Sequence, residues 1–247
     1  MMKTIIFMGS KPIGFDALSF LIEKQIEYSI QILAVFTNDN KRFDSSKSVK
    51  ELAISKNISV FDDLSYLENL PNVDIIICVQ YHQILKEHHI KKAKQIAINL
   101  HMAPLPEYRG CNQFSFAILN GDKEFGTTIH KIDLGIDSGD ILFEKRFEIP
   151  PKCYVKDLYD ITYQKSIELF KEKIFEIIDG RYEFIPQSSI NKVPKTYYRK
   201  DIENIKKINW DEWSKEKIEL HIRATGMPGF EPPYAIIAGK KVKFVVE

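Results

Sequence analysis

The chain predicts an α/β fold, a mostly parallel sheet with flanking helices, joined to a small C-terminal extension that ends in a β-hairpin. Two observations carry this expectation. Apolar runs of strand length alternate with segments whose apolar residues recur at helical spacing, an order that builds a parallel sheet covered by helices. Val73 to Val79 is a long, nearly unbroken apolar run, as a strand buried on both faces requires.

In chain order, Thr4 to Met8 reads as the first strand, and Gly14 to Lys24 as a helix with Phe15, Leu18, Leu21 and Ile22 at helical spacing. Ile32 to Phe36 gives a second strand, Val49 to Lys56 a helix, Val73 to Val79 the third strand and Ile96 to Leu100 the fourth. Asn112 to Leu119 predicts a helix closed by Asn120-Gly121, a natural left-handed cap. Strands follow at Thr127 to Ile132 and Ile141 to Phe147, and Val155 to Asp179 is the longest helical pattern, stopped by Gly180. This is a Rossmann-like order. Residues 1–190 form one domain on this reading, and 191–247 a C-terminal extension of different character. The extension holds Tyr197-Tyr198-Arg199-Lys200, Trp210, Trp213 and a helix near Lys215 to Arg223, then two apolar runs separated by the turn-like Ala238-Gly239-Lys240.

Composition narrows the function classes. With 247 residues and 44% hydrophobic content, the chain can bury one sizeable core plus an appendage. No run approaches the roughly 20 apolar residues that span a bilayer, and the first residues lead into a strand without a cleavage pattern, so a cytoplasmic protein with no membrane partner is expected. Lys and Arg total 35 against 34 Asp and Glu, which offers no global basic field for nucleic acid. Cys78, Cys111 and Cys153 have neither disulfide nor zinc spacing and read as small buried hydrophobes.

The candidate site lies between residues 99 and 140. Asn99 and His101 follow the apolar Ile96-Ala97-Ile98, so strand alternation sends both side chains to one face. Asp137 sits in Gly135-Ile136-Asp137-Ser138-Gly139, where flanking glycines let the backbone bend sharply and hold a carboxylate at a turn. The set is a poor metal site, since Asn is a weak ligand and no second His or Cys stands at a useful spacing. Ser138 lacks the Gly-x-Ser-x-Gly elbow of a serine hydrolase. The motifs fall at strand C-termini, where open parallel sheets bind ligands.

The ordered set Asn99, His101, Leu105-Pro106, Tyr108-Arg109-Gly110, Thr127-Thr128 and Gly135 to Gly139 resembles the active-site signature of the N10-formyltetrahydrofolate-dependent formyltransferases. The resemblance implies a one-carbon group transferase with N10-formyltetrahydrofolate as cosubstrate and no metal. It makes Asn99, His101 and Asp137 the catalytic set. Such chemistry needs donors for a developing oxyanion and a proton route from the attacking amine. Asn99 supplies an amide donor; His101, with an ordinary pKa of about 6.5, can give or take a proton; Asp137 can orient the imidazole. The resemblance also implies that the loop Gln80, Tyr81, His82, Gln83 and Ile84, with Gly135, cups the folate, largely through backbone groups. Relatives commonly carry Tyr-Gly where this chain has Tyr81-His82.

Three branches of the family differ in acceptor. The glycinamide ribonucleotide branch carries a Gly-Ser-Asn phosphate cradle, whereas this chain has Gly9-Ser10-Lys11-Pro12. The initiator methionyl-tRNA branch resembles this N-terminal stretch, yet its C-terminal RNA-binding barrel does not fit comfortably in the residues after 190. The third branch formylates nucleotide-linked amino deoxysugars such as dTDP-4-amino-4,6-dideoxyglucose, for O-antigen and similar surface polysaccharides. Tyr198 and Arg199 suit it, because a ring can stack on a base and a guanidinium can grip a pyrophosphate. Ser10, Lys11, Tyr108 and Arg109 complete the expected acceptor contacts. A homodimer through the C-terminal hairpin is expected from the same branch. The alternatives are a truncated methionyl-tRNA formyltransferase and a non-catalytic folate or nucleotide-sugar binding domain.

Overall fold

Alternating side chains on the first strands bury on both sides, and this sets the layers. In the computed structural model, which describes residues 2–38 and 47–246, β1 (Lys3–Gly9) sends Ile5 and Phe7 into one core and Ile6 and Met8 into another. Helices α1 (Lys11–Glu23) and α2 (Val49–Ser55) cover the first face with Ile13, Ala17, Leu18, Leu21, Val49 and Ala53. The opposite face is closed by Leu64 and Leu67 of a 3-10 turn and by Leu85.

β1, β2 (Ile30–Phe36), β3 (Ser59–Phe61), β4 (Val73–Val79) and β5 (Ala93–His101) are parallel; β7 (Glu124–Lys131) pairs antiparallel with β5, and β8 (Ile141–Glu148) antiparallel with β7. The seven strands run in the order β3-β2-β1-β4-β5-β7-β8. The chain thus travels outward from β1 to β3, then returns to β4 on the other side of β1. The gap between the C-terminal ends of β1 and β4 is the switch point at which such sheets receive ligands. A short helix, α3 (Glu87–Ile90), precedes β5.

The expected elements are present with shifted ends. α1 begins at Lys11 rather than Gly14, because Pro12 fits the first turn, where its missing N–H has no intrahelical partner to lose. α4 (Gln113–Asn120) ends on Gly121 at φ 71, and α5 (Val155–Asp179) on Gly180 at φ 79. Asp157 accepts the Tyr154 N–H at 2.9 Å and caps the start of α5. The edge strand β3 was not expected, and neither was β6 (Arg109–Gly110), which pairs in parallel with β9 (Thr196–Tyr197). Pieces this short carry no periodicity.

The C-terminal extension contributes to the main body. Tyr197 and Ala224 of α7 (Lys215–Thr225) bury with Tyr108, Ala117, Phe125 and Leu158, and Tyr197 stacks between Phe116 and Tyr108. Beyond it, α6 (Asp201–Ile205) leads to β10 (Lys207–Ile208), which joins β11 (Tyr234–Ile237) and β12 (Lys240–Lys243) in a three-stranded sheet. The β11–β12 hairpin turns at Ala238 and Gly239, both at positive φ, as a tight two-residue turn demands. No helix among the described residues is long and apolar enough to cross a membrane.

Phe170 lies on α5, fully buried against the sheet. Phe170→Ala should cost about 3–5 kcal/mol of stability, read as a lower urea midpoint with an unchanged slope.

Candidate active site

The end of β5 and its antiparallel neighbour build the site. β5 carries Asn99 and His101 on one face, and pairing with β7 places His130 opposite Asn99 and Thr128 opposite His101. Beyond His101 the chain is held by two buried hydroxyls. Thr127 Oγ1 donates to the His101 carbonyl at 3.0 Å, and Thr128 Oγ1 to that of Ala103 at 2.8 Å. The Thr-Thr pair therefore serves as a backbone clamp.

Three side chains converge on Asp137. Its Oδ2 lies 3.6 Å from His101 Nδ1, and its Oδ1 lies 3.4 Å from both His130 Nε2 and Asn99 Nδ2. The Gly110 N–H donates to Oδ2 at 2.9 Å. Burial alone would raise this carboxyl, but His101, His130 and the Gly110 N–H outweigh burial and hold it well below the usual carboxylate range. Asp137 is the fixed negative charge of the site.

The two imidazoles are oriented from behind by backbone carbonyls. His101 Nε2 donates to Tyr108 O at 2.7 Å, which turns Nδ1 toward Asp137. His130 Nδ1 donates to Lys131 O at 2.8 Å, which turns Nε2 toward Asn99 Nδ2 at 3.1 Å and Asp137 Oδ1 at 3.4 Å. His130 is a site residue that sequence reasoning missed. Its signal is its register: once Thr127 to Lys131 is an antiparallel partner of β5, a buried histidine opposite Asn99 must face the same carboxylate.

The turn bearing Asp137 works differently from expectation. The left-handed residue is Asp137 itself, at φ 47, while Gly135 and Gly139 are glycines for space. A Cβ on Gly135 would stand 2.0 Å from Ser138 Oγ, and one on Gly139 would stand 1.9 Å from Lys131 O. Asp133 braces the loop by accepting from Gly135 N at 3.0 Å and Ser138 Oγ at 2.6 Å. Ser138 is thereby committed to structure, consistent with the rejection of a serine hydrolase.

The expected folate loop follows β4. Gln80 is left-handed at φ 55 and its Oε1 accepts from Lys11 Nζ at 2.6 Å, bridging the switch point. Tyr81 packs against the core that holds Ile6 and Met8, and Gln83 Oε1 accepts from Leu64 N at 3.2 Å. These two side chains brace the loop. His82 and Ile84 face outward, Ile84 with 75% of its surface exposed, and Leu134 and Ile136 beside Gly135 are also exposed. An open loop with free apolar side chains near a polar cluster fits a flat ring system with a hydrogen-bonding edge.

Of the expected acceptor contacts, Ser10 and Lys11 stand at the switch point. Ser10 is buried and its hydroxyl has no hydrogen-bond partner. Burial, and then the charge of Arg199, pulls the Lys11 ammonium below its usual range. Asn112 Nδ2 donates to Tyr198 O at 3.0 Å and so holds the exposed Tyr198 and Arg199 beside this corner. Two of the expected contact residues are engaged within the protein. The Tyr108 hydroxyl is committed to Asp122 and Asn120, and its role in the site is the carbonyl that orients His101. Arg109 places Nε and Nη2 on Gln187 Oε1, at 3.0 and 2.6 Å, and so serves the protein first.

Of the three cysteines expected to be buried, Cys78 and Cys153 are, whereas Cys111 beside Gly110 is only half-buried. Burial pushes the Cys78 thiol up to about 12 and the Cys153 thiol up to about 11. Among the described residues, Glu68, His88 and His89 are the group whose ligand atoms lie close together, far from this edge. There His89 Nδ1 accepts the Lys86 N–H at 3.1 Å, which leaves the proton on Nε2 and spoils that nitrogen as a ligand.

Because the Asp137 carboxyl is lowered by folding, its contribution to stability is complete above its unfolded value of about 3.9 and is lost as pH falls toward the folded value. The stability difference between the wild type and Asp137→Asn should therefore be flat above that pH and fall below it. Urea unfolding at several pH values reads this, and a pH-independent difference would contradict the assignment.

The chain and its fold are similar to those of known proteins. The chain matches the Formyl transferase family over residues 2–174. It is 30% identical to the methionyl-tRNA formyltransferase of Clostridium novyi over 97% of this chain and 78% of that protein. The structure of an N-formyltransferase from Helicobacter canadensis, in complex with folinic acid and dTDP-3-aminofucose, is similar with a TM-score of 0.78 and 29% identity, covering 98% of this chain and 86% of that one. WlaRD, a sugar 3N-formyl transferase solved with dTDP and 5-N-formyl-THF, is similar with a TM-score of 0.79 and 30% identity, covering 98% and 85%. With the carboxylate, imidazole and amide assembled at one sheet edge, the chain belongs to the formyl transferase family, whose formyl donor is N10-formyltetrahydrofolate.

Proposed function

We propose that this formyltransferase moves the formyl group of N10-formyltetrahydrofolate to the amine of a nucleotide-linked amino deoxysugar, with dTDP-4-amino-4,6-dideoxyglucose the first acceptor to test. The observation that carries the acceptor class is the corner where Lys11, Tyr198 and Arg199 meet beside the catalytic edge. Two cations and an exposed ring suit a pyrophosphate and a base. The structural neighbours bound to dTDP or dTDP-3-aminofucose support the same class. The product would feed O-antigen or a similar surface polysaccharide. Exposed Ile236 and Val242 on the terminal hairpin support a homodimer.

In this reading the acceptor nitrogen bonds to the formyl carbon, negative charge grows on the formyl oxygen, and the bond to N10 of the folate then breaks. The attacking amine loses a proton and N10 gains one. Asn99 and His101 lie where they can meet the oxyanion and exchange that proton, with Nδ1 the nitrogen of His101 not anchored to the main chain. Asp137 stays ionised and balances a positive imidazole.

Transfer to initiator methionyl-tRNA is the second reading, favoured by the methionyl-tRNA formyltransferases at about 30% identity. The near balance of 35 basic and 34 acidic residues gives it little help with a polyanion.

The deciding experiment incubates the protein with N10-formyltetrahydrofolate and each of dTDP- and UDP-linked 3-amino and 4-amino deoxysugars, or initiator Met-tRNA, and follows folate release and the formylated product. Transfer to a nucleotide sugar is expected. Formylation of the tRNA with no sugar product would overturn the proposal, and binding without turnover would favour a binding domain. Asn99→Ala, His101→Ala and Asp137→Ala should each lower kcat by roughly 10²–10⁴ with unchanged circular dichroism, while Cys111→Ser stays near wild type. Arg199→Ala should raise KM for the nucleotide sugar about tenfold and leave that for the folate in place.

A further inference from the structure

One buried side chain outside the catalytic set touches it from behind. Gln187, 4% exposed, opens a short 3-10 turn after Pro186. It is brought there by an antiparallel bridge between Ile185 and Ile141, the first residue of β8. Its Nε2 donates to the carbonyls of Asp137 and Gly139, at 2.8 Å each. Its Oε1 accepts two donors from Arg109. Both amide hydrogens and both lone pairs are used, and the partners fix the orientation of the amide: turned over, it would face NH2 to a guanidinium and oxygen to two carbonyls.

These bonds close a ring. Arg109 is held by Gln187, Gln187 holds the main chain of Asp137, and the N–H of Gly110, next to Arg109, holds the Asp137 carboxylate. The ring surrounds a non-glycine residue in the left-handed region, a conformation that persists only where its surroundings over-determine it. A residue that only satisfied buried carbonyls would not also need to anchor the strand that supplies the carboxylate's N–H donor.

We infer that Gln187 is a positioning residue for formyl transfer: it fixes the turn that aims Asp137 at His101 and, through Arg109, the Gly110 N–H that holds the same carboxylate. The inference rests on the reading of Asp137 as a member of the catalytic set. Through it, the stretch that follows α5 becomes part of the mechanism without touching the reacting atoms.

Two variants test it. Gln187→Met keeps the length and removes all four bonds. Gln187→Glu keeps the pairing with Arg109 but sets a carboxylate oxygen against the two carbonyls. Both should lower kcat about tenfold to a hundredfold, as small misplacements of a catalytic group do, with KM for both substrates near wild type. A merely structural role would instead lower Tm and leave the kcat of the folded enzyme in place. Crystal structures of both variants should show Asp137 out of its left-handed conformation and the contact with His101 Nδ1 opened. Asp137 unmoved in these structures, or kcat unchanged in both variants, would overturn the inference. If the wild type transfers formyl to no acceptor, the proposed acceptor class fails, and the position of Asp137 in the variant structures still decides the role of Gln187.

Discussion

A carboxylate kept charged where burial opposes it is the constraint on which the site depends. Asp137 is largely withdrawn from water, and desolvation pushes it toward the neutral acid. The protein answers with two imidazoles, an amide and a main-chain N–H within about 3.6 Å or less, delivered by three strands, with Asn99 and His101 from β5, Gly110 from β6 and His130 from β7. Those neighbours are in turn fixed by carbonyls and hydroxyls: Tyr108 O and Lys131 O behind the histidines, and Thr127 and Thr128 on the main chain leaving β5. Removing any support leaves a buried charge or a buried carbonyl short of a partner, which is costly. The order of the site and the charge of Asp137 are therefore the same fact.

Sheet topology brings these groups to one place. Parallel β1, β4 and β5 end side by side, so Ser10, Gln80 and His101 emerge along one edge although they are distant in sequence. The change to antiparallel pairing at β7 then matters chemically. An antiparallel strand runs back past the same edge and delivers His130 opposite Asn99, and its exit leads within a few residues to the Asp137 turn. A helical crossover to a parallel strand would not return the chain to this edge so quickly. Lys11 and Gln80, both left-handed, cross the switch point and mark the boundary between the Asp137 corner and the corner holding Arg199.

Much of this was legible in the chain. The apolar runs marked β1, β2, β4 and β5, and the residues Asn99, His101 and Asp137 were marked by spacing, by the turn around them and by family resemblance. The site's supports were less legible. Tyr108 and Arg109 were read from the Tyr-Arg-Gly motif as ligand contacts, and the structure adds that one gives its carbonyl and the other its guanidinium to the protein. Gly135 and Gly139 looked like hinges, and they are spacers around a strained aspartate. His130 and Gln187 carry no local signature, since each acquires its role from a partner far away in the chain.

The sequence by itself determined the long strands, the burial of the sheet on both faces and the convergence of Asn99 with His101, because these follow from apolar runs, period-two alternation and local turn chemistry. Only the tertiary structure decided which groups surround Asp137, which side chains serve ligands and which serve the fold, and where the C-terminal segment meets the catalytic edge. The physical reason is range. Strand periodicity acts over a few residues, whereas the bonds that orient the site join Gly110 to Asp137, Asn99 to His130 and Asp137 to Gln187, pairs that meet only when the sheet and the segment after α5 have closed around them.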